Sequence, residues 1–285
     1  MAGWTADQLP SMTGQTVVIT GGGGGIGLVT ARELGRAGAR VVLAVRDAGK
    51  ARRAVAGMPG DFEFRRLDVA DLESVRAFAR AYDGELDVLV NNAGVMDIPA
   101  ARTAQGFDLQ TATNYFGPFV LTNLLLPRLT GRVVTVSSQL HRFAKLDLDD
   151  LDWRARRYQG LAVYESSKLA VVLFSLELQR RLSAAGSRVR SIVAHPGVAR
   201  TGLVSHSRLD LVNRLPFLVQ DAERGALPVL YAASQDVPGN AYVGPDGLFG
   251  FTGFPMVRKP GRAGRDPVAA GRLWRATAEL TGVGA

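Results

Sequence analysis

Two patterns of apolar residues alternate along the chain. Short runs rich in β-branched residues predict seven strands, at residues 16–20, 40–45, 62–67, 86–91, 131–137, 188–195 and 241–243. Apolar residues at three- and four-residue spacing predict helices at residues 25–37, 71–82, 107–129, 161–184 and 266–280. Because alternating strands and helices form βαβ units, we expect an α/β, three-layer, doubly wound Rossmann fold. Its mostly parallel, seven-stranded sheet should carry helices on both faces.

Two long connections, at residues 139–160 and 196–220, interrupt this alternation. Both leave the carboxyl ends of predicted strands, where an open α/β sheet binds its ligands, so we expect them to border the substrate. The sequence contains neither an internal repeat nor a recognisable linker. Residues 1–285 are therefore predicted to form a single domain.

Composition excludes several kinds of site. The 285 residues include no cysteine, which rules out disulfides, thiolate nucleophiles and thiolate metal ligands. The three histidines, His141, His195 and His206, do not stand at a metal-ligand spacing, so we predict no metal site. The net charge of +8 comes from arginines scattered along the chain without a nucleic-acid recognition motif. We therefore predict no nucleic-acid partner.

The pattern also lacks the marks of a membrane-spanning or secreted protein. No apolar run approaches the roughly 18 residues that a membrane span needs. Residues 1–13 have neither a basic start nor an apolar centre. We expect no membrane span and a cytoplasmic location.

A glycine-rich turn, TGGGGGIG at residues 20–27, follows the first predicted strand. Glycine lets the backbone approach a pyrophosphate, and the helix N-terminus that follows offers free amide groups to phosphates. Glycine-rich segments also occur as flexible loops, but this one separates a strand from a helix. It predicts a dinucleotide site that includes Gly21, Gly25, Ile26 and Gly27.

The end of the second strand, Val45-Arg46, discriminates between the two nicotinamide cofactors. An acidic residue there would accept the ribose hydroxyls of NAD, whereas a cation accommodates the extra phosphate of NADP. The planar guanidinium of Arg46 suits a phosphate, although Asp47 beside it weakens the attraction. The alternative is an ordinary surface arginine at the start of a helix. We predict NADP(H) as the cofactor.

Tyr164 and Lys168 lie one helical turn apart in the helix predicted for residues 161–184. Their spacing puts a phenol and an ammonium group on one face. A cation beside a phenol favours the phenolate, so the pair is expected to exchange a proton near neutral pH, as carbonyl reduction requires. The spacing is common by itself, and its meaning depends on the surrounding motifs.

Further motifs follow successive predicted strands. In order, the set is residues 20–27, Asp68-Val69, Asn91-Asn92-Ala93-Gly94, Asn114, Ser137-Ser138, Tyr164 with Lys168, and His195-Pro196-Gly197 with Thr201. In this combination the chain resembles the short-chain dehydrogenase/reductase family over nearly its whole length. Residues 137–142 (SSQLHR), 164–174 (YESSKLAVVLF) and 239–247 are most similar to the branch that contains retinol dehydrogenases and protochlorophyllide reductases.

The resemblance implies a role for each motif. Tyr164 would protonate the carbonyl oxygen while the nicotinamide delivers hydride, Lys168 would hold the nicotinamide ribose, and Ser138 would bind the substrate oxygen. Asn114 would anchor a water in a proton relay behind Lys168. The other cofactor contacts would come from Asp68, Val69, Asn92, Ala93, Gly94, Pro196, Gly197 and Thr201.

Some of these roles have alternatives. Ser137 could carry the catalytic hydroxyl instead of Ser138, since neighbouring strand residues point to opposite faces. The backbone alone could satisfy Asn114. We interpret His141 and His195 as structural rather than as general bases.

The sequence departs from the family pattern in two segments. Residues 22–24 are all glycine where relatives usually offer polar side chains, which predicts weaker cofactor binding. Residues 145–158 form an insertion that is expected to cover the substrate entrance, with Trp153 or Tyr158 against the ligand.

The function predicted from these residues is an NADP(H)-dependent oxidoreductase that interconverts a carbonyl and an alcohol. Leucine-rich residues 146–151 and 203–218 predict an apolar small-molecule substrate. The alternatives are an NADPH-dependent carbon–carbon double-bond reductase and a catalytically silent NADP-binding regulatory protein. The family habit of pairing long helices predicts a homodimer or homotetramer through residues 107–129 and 161–184.

Overall fold

A computed structural model describes residues 3–199 and 219–284, in which eight strands form one sheet with helices on both faces. The strands are β1 (Thr16–Thr20), β2 (Arg40–Val45), β3 (Asp61–Arg66), β4 (Leu86–Asn91), β5 (Leu129–Val136), β6 (Arg190–Ala194), β7 (Tyr242–Pro245) and β8 (Pro255–Arg258). The helices are α1 (Gly25–Arg36), α2 (Ala48–Val55), α3 (Leu72–Ala81), α4 (Leu109–Thr111), α5 (Gly117–Leu125), α6 (Gly160–Ala184), α7 (Ala222–Ser234) and α8 (Pro267–Thr281).

The strand order is β3-β2-β1-β4-β5-β6-β7-β8. All neighbouring pairs are parallel except β7 and β8, which pair antiparallel. The order runs outward in both directions from β1 and β4, and this is the topology of a doubly wound sheet. The predicted Rossmann fold is therefore confirmed, with one strand more than the seven expected.

The central strands are buried on both faces. Val17, Val18 and Ile19 of β1 have no measurable exposure. Val17 and Ile19 pack in an apolar cluster with α1 and α7, whereas Val18 packs on the opposite face with α3, α5 and α6. A strand covered on both sides is a continuous apolar run rather than an alternating one. For this reason the sequence predicted β1, β2 and β4 with their observed bounds.

The segment predicted as one α-helix, residues 107–129, is helical from Leu109 to Arg128 but changes its type of helix along the way. The short α4 leads into a π-helical turn at Ala112–Phe116, then α5, then a 3-10 turn at Leu126–Arg128. Leu129 already belongs to β5, two residues before the predicted start of that strand. A π-turn inserts an extra residue into a helical run, and such turns are frequent at functional sites.

Three elements were missing from the sequence prediction. Helix α2 is short, and α7 contains Gly225 and the internal Pro228, both of which disfavour a helix. Strand β8 lies in a tail rich in glycine and proline. Contacts with the sheet and with neighbouring segments stabilise these elements more than their intrinsic helix or strand propensity does.

Helix α8 covers α5 and α6 within the same chain. The Trp274 ring lies 5.0 Å from that of Phe119 and 5.7 Å from that of Phe174, measured between centroids. Tyr115 and Thr277 share a hydrogen bond of 2.7 Å between their hydroxyl oxygens. These contacts bury Phe119 and Phe174 within the chain, and the homodimer or homotetramer through residues 107–129 and 161–184 stays a prediction.

Candidate active site

Helix α6 carries Tyr164 and Lys168 on the side that packs against the end of β5. Lys168 Nζ donates to the carbonyl oxygen of Val136 at 2.8 Å. In return, Ser137 Oγ donates to the carbonyl oxygen of Lys168 at 2.9 Å. Tyr164 and Lys168 are both buried. Two hydrogen bonds in opposite directions thus fix this turn of α6 to the carboxyl end of the strand.

The two neighbouring serines have different surroundings. The hydroxyl of Ser137 is buried and committed to the backbone of α6. Ser138 caps the following 3-10 turn, Gln139–Phe143, by accepting from Leu140 N at 3.2 Å. Its side chain also acts on the Tyr164 phenol, whose pKa it lowers. Ser138 is thus the serine that acts on the phenol, and its catalytic role stays a prediction.

The pKa values of the tyrosine and the lysine are set mainly by burial. Burial raises the pKa of Tyr164 to about 12, although the Ser138 side chain acts in the opposite direction and favours the phenolate. Burial lowers the pKa of Lys168 to about 8. The Lys168 ammonium lies 5.7 Å from the centroid of the Tyr164 ring and is directed to Val136 O. The expectation that the pair exchanges a proton near neutral pH stays a prediction.

Asn114 lies in the π-helical turn and joins three segments. Its side-chain oxygen accepts from Val95 N at 2.8 Å, and its side-chain nitrogen donates to Val95 O at 2.9 Å. The same nitrogen lies 3.0 Å from Ser167 Oγ on α6. Protein atoms thus satisfy the side-chain amide of Asn114, in agreement with the alternative that Asn114 has a structural role. The water relay remains a prediction.

The glycine turn between β1 and α1 is closely packed against the loop after β4. Gly21 has φ +69°, a left-handed conformation that favours glycine, and a Cβ there would lie 3.0 Å from Ala93 Cα. A Cβ on Gly27 would lie 2.7 Å from Gly21 O. Helix α1 has no side-chain cap at Gly24, so the amide groups of its first turn are free to bind an anion.

A cleft of about 510 Å³ runs from this turn to Tyr164 and Lys168. The predicted cofactor residues that line it are Gly21, Gly25, Ile26, Gly27, Arg46, Asp68, Val69, Asn92, Ala93, Gly94, Tyr164, Lys168 and Pro196. A Cβ on Gly94 would lie 3.5 Å from Lys168 Nζ, so glycine keeps the space beside the ammonium open. The residues present thus fit a dinucleotide.

Two predicted cofactor residues do not appear in this lining. Gly197 donates its backbone N–H to His195 Nδ1 at 3.3 Å, and a Cβ on it would meet Phe251 O at 2.2 Å. Close packing against Phe251 explains why residue 197 must be glycine. Thr201 lies outside the described residues.

The cleft also contains a cation that sequence reasoning missed. Lys50, on the first turn of α2, lines the cleft together with Arg46. Asp47 is occupied as the cap of α2, since its carboxylate accepts from Lys50 N at 2.8 Å. The aspartate between the two cations is therefore engaged with the backbone. Recognising α2 in the sequence would have placed Lys50 one turn beyond Arg46.

Both described histidines are buried behind the serines. His141 Nε2 accepts from Gly261 N at 2.9 Å, so its proton is on Nδ1, which donates to Ser138 O at 2.7 Å. The ring of His195 stacks on Tyr242 at 5.1 Å between centroids. Burial lowers the pKa of His141 to about 4 and that of His195 to about 3. Neutral buried rings agree with the structural interpretation.

The insertion at residues 145–158 is tied down by hydrogen bonds and a cation–π contact. Tyr158 Oη donates to Ile98 O at 3.0 Å. Trp153 is buried beneath the Arg156 guanidinium, 3.9 Å from its ring centroid. Neither ring lines the cleft, so their contact with substrate stays a prediction. Within residues 3–199 and 219–284, no cluster of three metal-ligating side chains occurs.

The family model for short chain dehydrogenases matches residues 15–211. The chain belongs to the short-chain dehydrogenase family. Human retinol dehydrogenase 13 is 38% identical, over 99% of this chain and 89% of that protein. Human retinol dehydrogenase 12 is 41% identical, over 97% of this chain and 88% of that protein.

A solved structure is also similar over nearly the whole length. The crystal structure of an uncharacterised protein from Mycobacterium paratuberculosis superposes with a TM-score of 0.88 at 49% identity. The match covers 99% of this chain and 98% of that one. As a short-chain dehydrogenase of the retinol dehydrogenase-like branch, the protein is a dehydrogenase or reductase that acts on CH–OH or C=O groups and uses a nicotinamide cofactor.

The buried histidines predict how the stability of this short-chain dehydrogenase depends on pH. A histidine whose folded pKa is lowered stabilises the fold above the unfolded pKa of about 6.5, and that stability is lost as pH falls toward the folded value. For His195 the loss between pH 7 and pH 5 is about 2 kcal/mol. Urea denaturation of His195→Asn should therefore show an unfolding free energy that falls about 2 kcal/mol less over this interval than in wild type.

Tyr242→Phe serves as the matched control. It alters the ring that stacks on His195 but adds or removes no group that titrates between pH 5 and 7. Its pH dependence should parallel that of wild type. A His195→Asn curve that is parallel to wild type would show that the pKa of the ring is not lowered in the folded protein.

Proposed function

We propose that this short-chain dehydrogenase is an NADP(H)-dependent oxidoreductase that interconverts a carbonyl and an alcohol with Tyr164 as general acid and base. The observation that carries the proposal is the position of Tyr164 and Lys168 at one end of a cleft whose other wall is the glycine turn. Ser138 acts on the same phenol and lowers its pKa. A proton donor, a polar partner for the substrate oxygen and a cofactor cleft therefore meet at one edge of the sheet.

Bound NADPH would supply hydride to the carbonyl carbon. With its pKa raised to about 12 by burial, Tyr164 carries its proton at neutral pH and donates it to the carbonyl oxygen during reduction. Ser138 donates a hydrogen bond to the same oxygen as negative charge develops there. In the reverse direction Tyr164 must first lose its proton, so alcohol oxidation is favoured by high pH.

Lys168 and Asn114 support this chemistry from the interior. We assign the ammonium of Lys168 to the nicotinamide ribose, since Gly94 leaves the space beside Nζ free. Asn114 holds Val95 by both amide atoms and so positions the loop after β4. The proposed relay would take a proton from Tyr164 through the ribose and Lys168 toward a water at Asn114.

NADP(H) is proposed over NAD(H) because Arg46 and Lys50 line the same part of the cleft, beyond the end of β2. Two cations suit the extra phosphate, and Asp47 is occupied at the cap of α2. The remaining cofactor contacts are proposed for Asp68, Val69, Asn92, Ala93, Pro196, Gly197 and Thr201. Because residues 22–24 are glycines, only backbone amides and these cations would bind the phosphates of the cofactor.

The substrate, location and assembly are proposed as in the sequence prediction. An apolar carbonyl or alcohol agrees with the names of the retinol dehydrogenase relatives. None of the helices in the described residues is long and apolar enough to cross a bilayer. We propose a cytoplasmic protein whose residues 1–285 act as one domain, and a homodimer or homotetramer that pairs residues 107–129 and 161–184.

The first test of this function separates the two serines. Tyr164→Phe should lower kcat/KM for ketone reduction by about 10³-fold, because the proton donor is lost, and Ser138→Ala by about 10²-fold. Ser137→Ala is the comparison variant, because it removes the buried bond to Lys168 O, and it should lower kcat/KM by less than Ser138→Ala does. Oxidation of NADPH is followed by absorbance with a panel of ketones, aldehydes and enones.

Three results would contradict the assignment. Full activity of Tyr164→Phe would exclude the phenol as proton donor, and a larger loss in Ser137→Ala than in Ser138→Ala would exchange the serines. Turnover of enones alone would replace carbonyl reduction by double-bond reduction.

The second test concerns the cofactor. Arg46→Ala should raise KM for NADPH about tenfold and leave KM for NADH within about twofold, because the guanidinium contacts only the extra phosphate. Arg40→Ala is the control, since Arg40 lies at the opposite end of β2 and pairs with Glu63. Equal effects of Arg46→Ala on both cofactors would contradict the NADP assignment.

A further inference from the structure

The 3-10 turn that begins after Ser138 is linked to the segment that follows β8. Its residue His141 is 1% exposed, and Nε2 of this ring accepts from Gly261 N at 2.9 Å. A Cβ on Gly261 would lie 3.2 Å from the same nitrogen, so the backbone of residue 261 packs closely against the ring. Burial lowers the pKa of His141 to about 4, so the ring is neutral at pH 7 and Nε2 remains an acceptor.

Two N–H groups of His141 converge on the carbonyl oxygen of Ser138. The backbone N of His141 donates to Ser138 O at 3.1 Å, and Nδ1 of the ring donates to the same oxygen at 2.7 Å. The Tyr242 hydroxyl is the more distant neighbour of Nδ1, at 3.3 Å. A carbonyl oxygen has two lone pairs, so His141 alone satisfies Ser138 O and fixes the plane of the peptide that follows Ser138.

The hydroxyl of Ser138 belongs to the same hydrogen-bonded turn. Ser138 Oγ accepts from Leu140 N at 3.2 Å, which uses the oxygen as an acceptor and leaves its hydrogen free to be donated. The Ser138 side chain also acts on the Tyr164 phenol. Rotation of the Ser138 peptide would break the bonds from His141 and change the direction in which this hydroxyl donates.

We infer that His141 is a positioning residue for Ser138, an inference that rests on the proposed function. By donating from Nδ1 to Ser138 O, the ring holds the turn in the orientation in which Ser138 Oγ donates to the substrate oxygen. His141 does not line the described part of the cleft, so it acts on the reaction only through Ser138.

Two nearly isosteric substitutions separate the bonds of this ring. His141→Asn places an amide nitrogen near the position of Nδ1, so it keeps a donor to Ser138 O and loses the acceptor for Gly261 N. His141→Gln places its amide near the position of Nε2, so it keeps a partner for Gly261 N and loses the donor to Ser138 O. In His141→Gln, kcat for ketone reduction should fall about tenfold with KM within about twofold, because Ser138 acts on charge that develops in the transition state. His141→Asn should keep kcat within about threefold of wild type.

A double-mutant cycle with Ser138→Ala shows whether the loss passes through the hydroxyl. In the Ser138→Ala background, His141→Gln should lower kcat by a further factor of less than about two, because no hydroxyl remains to be oriented. Arg142→Ala is the matched control, since the exposed Arg142 joins the same turn to the same segment by donating to Lys259 O at 2.7 Å. It should leave kcat within about twofold of wild type.

Both ring variants lose one buried hydrogen bond, so their Tm values should fall to a similar extent and a difference in kcat between them does not come from stability. The inference is wrong if His141→Gln loses as much kcat in the Ser138→Ala background as in wild type, or if His141→Asn loses as much as His141→Gln. An equal loss in Arg142→Ala would likewise assign the effect to the attachment of the turn.

Crystal structures of the two ring variants give a readout without turnover. The Ser138 peptide and Ser138 Oγ should be displaced in His141→Gln and unchanged in His141→Asn. An unchanged Ser138 in His141→Gln would overturn the inference while leaving carbonyl reduction in place. Failure of wild type to reduce any ketone would contradict the proposed function, whereas the two structures would still decide whether His141 positions Ser138.

Discussion

The candidate active site depends on a pair of hydrogen bonds between the end of β5 and one turn of α6. Lys168 Nζ donates to Val136 O, and Ser137 Oγ donates to Lys168 O. Because these groups are buried, breaking either bond would leave a polar atom without a partner in an apolar interior. The register of α6 against the sheet is thereby fixed. Tyr164, one turn before Lys168, then has no freedom to leave the cleft.

Other segments reach this point because the strands are parallel. The carboxyl ends of β1, β4 and β5 lie at the same edge of the sheet. The segments that follow these strands therefore lie close together: the glycine turn, the loop at Asn92–Gly94 and the serine pair. The π-helical turn adds the last piece, since it directs Asn114 to Val95 and to Ser167 on α6. These hydrogen bonds hold the segments around the cleft in fixed positions relative to one another.

The sequence predicts most of this arrangement where one physical rule dominates. Completely buried strands such as β1 are continuous apolar runs, and the turn after β1 requires glycine at Gly21 because its backbone is left-handed there. Features that depend on tertiary packing were missed or incomplete. The π-turn at Asn114, helix α7 with its Pro228, and the dominance of burial over charge at Tyr164 all require knowledge of what surrounds each residue. The choice between Ser137 and Ser138 likewise needed the position of α6.

The measurement that tests the central claim most directly is a crystal structure of the protein with NADP(H). The account predicts the pyrophosphate at the free amides of α1, the nicotinamide ribose within hydrogen-bond distance of Lys168 Nζ, and the nicotinamide ring beside the Tyr164 phenol. A dinucleotide bound with its nicotinamide away from Tyr164, or outside the cleft, would contradict it.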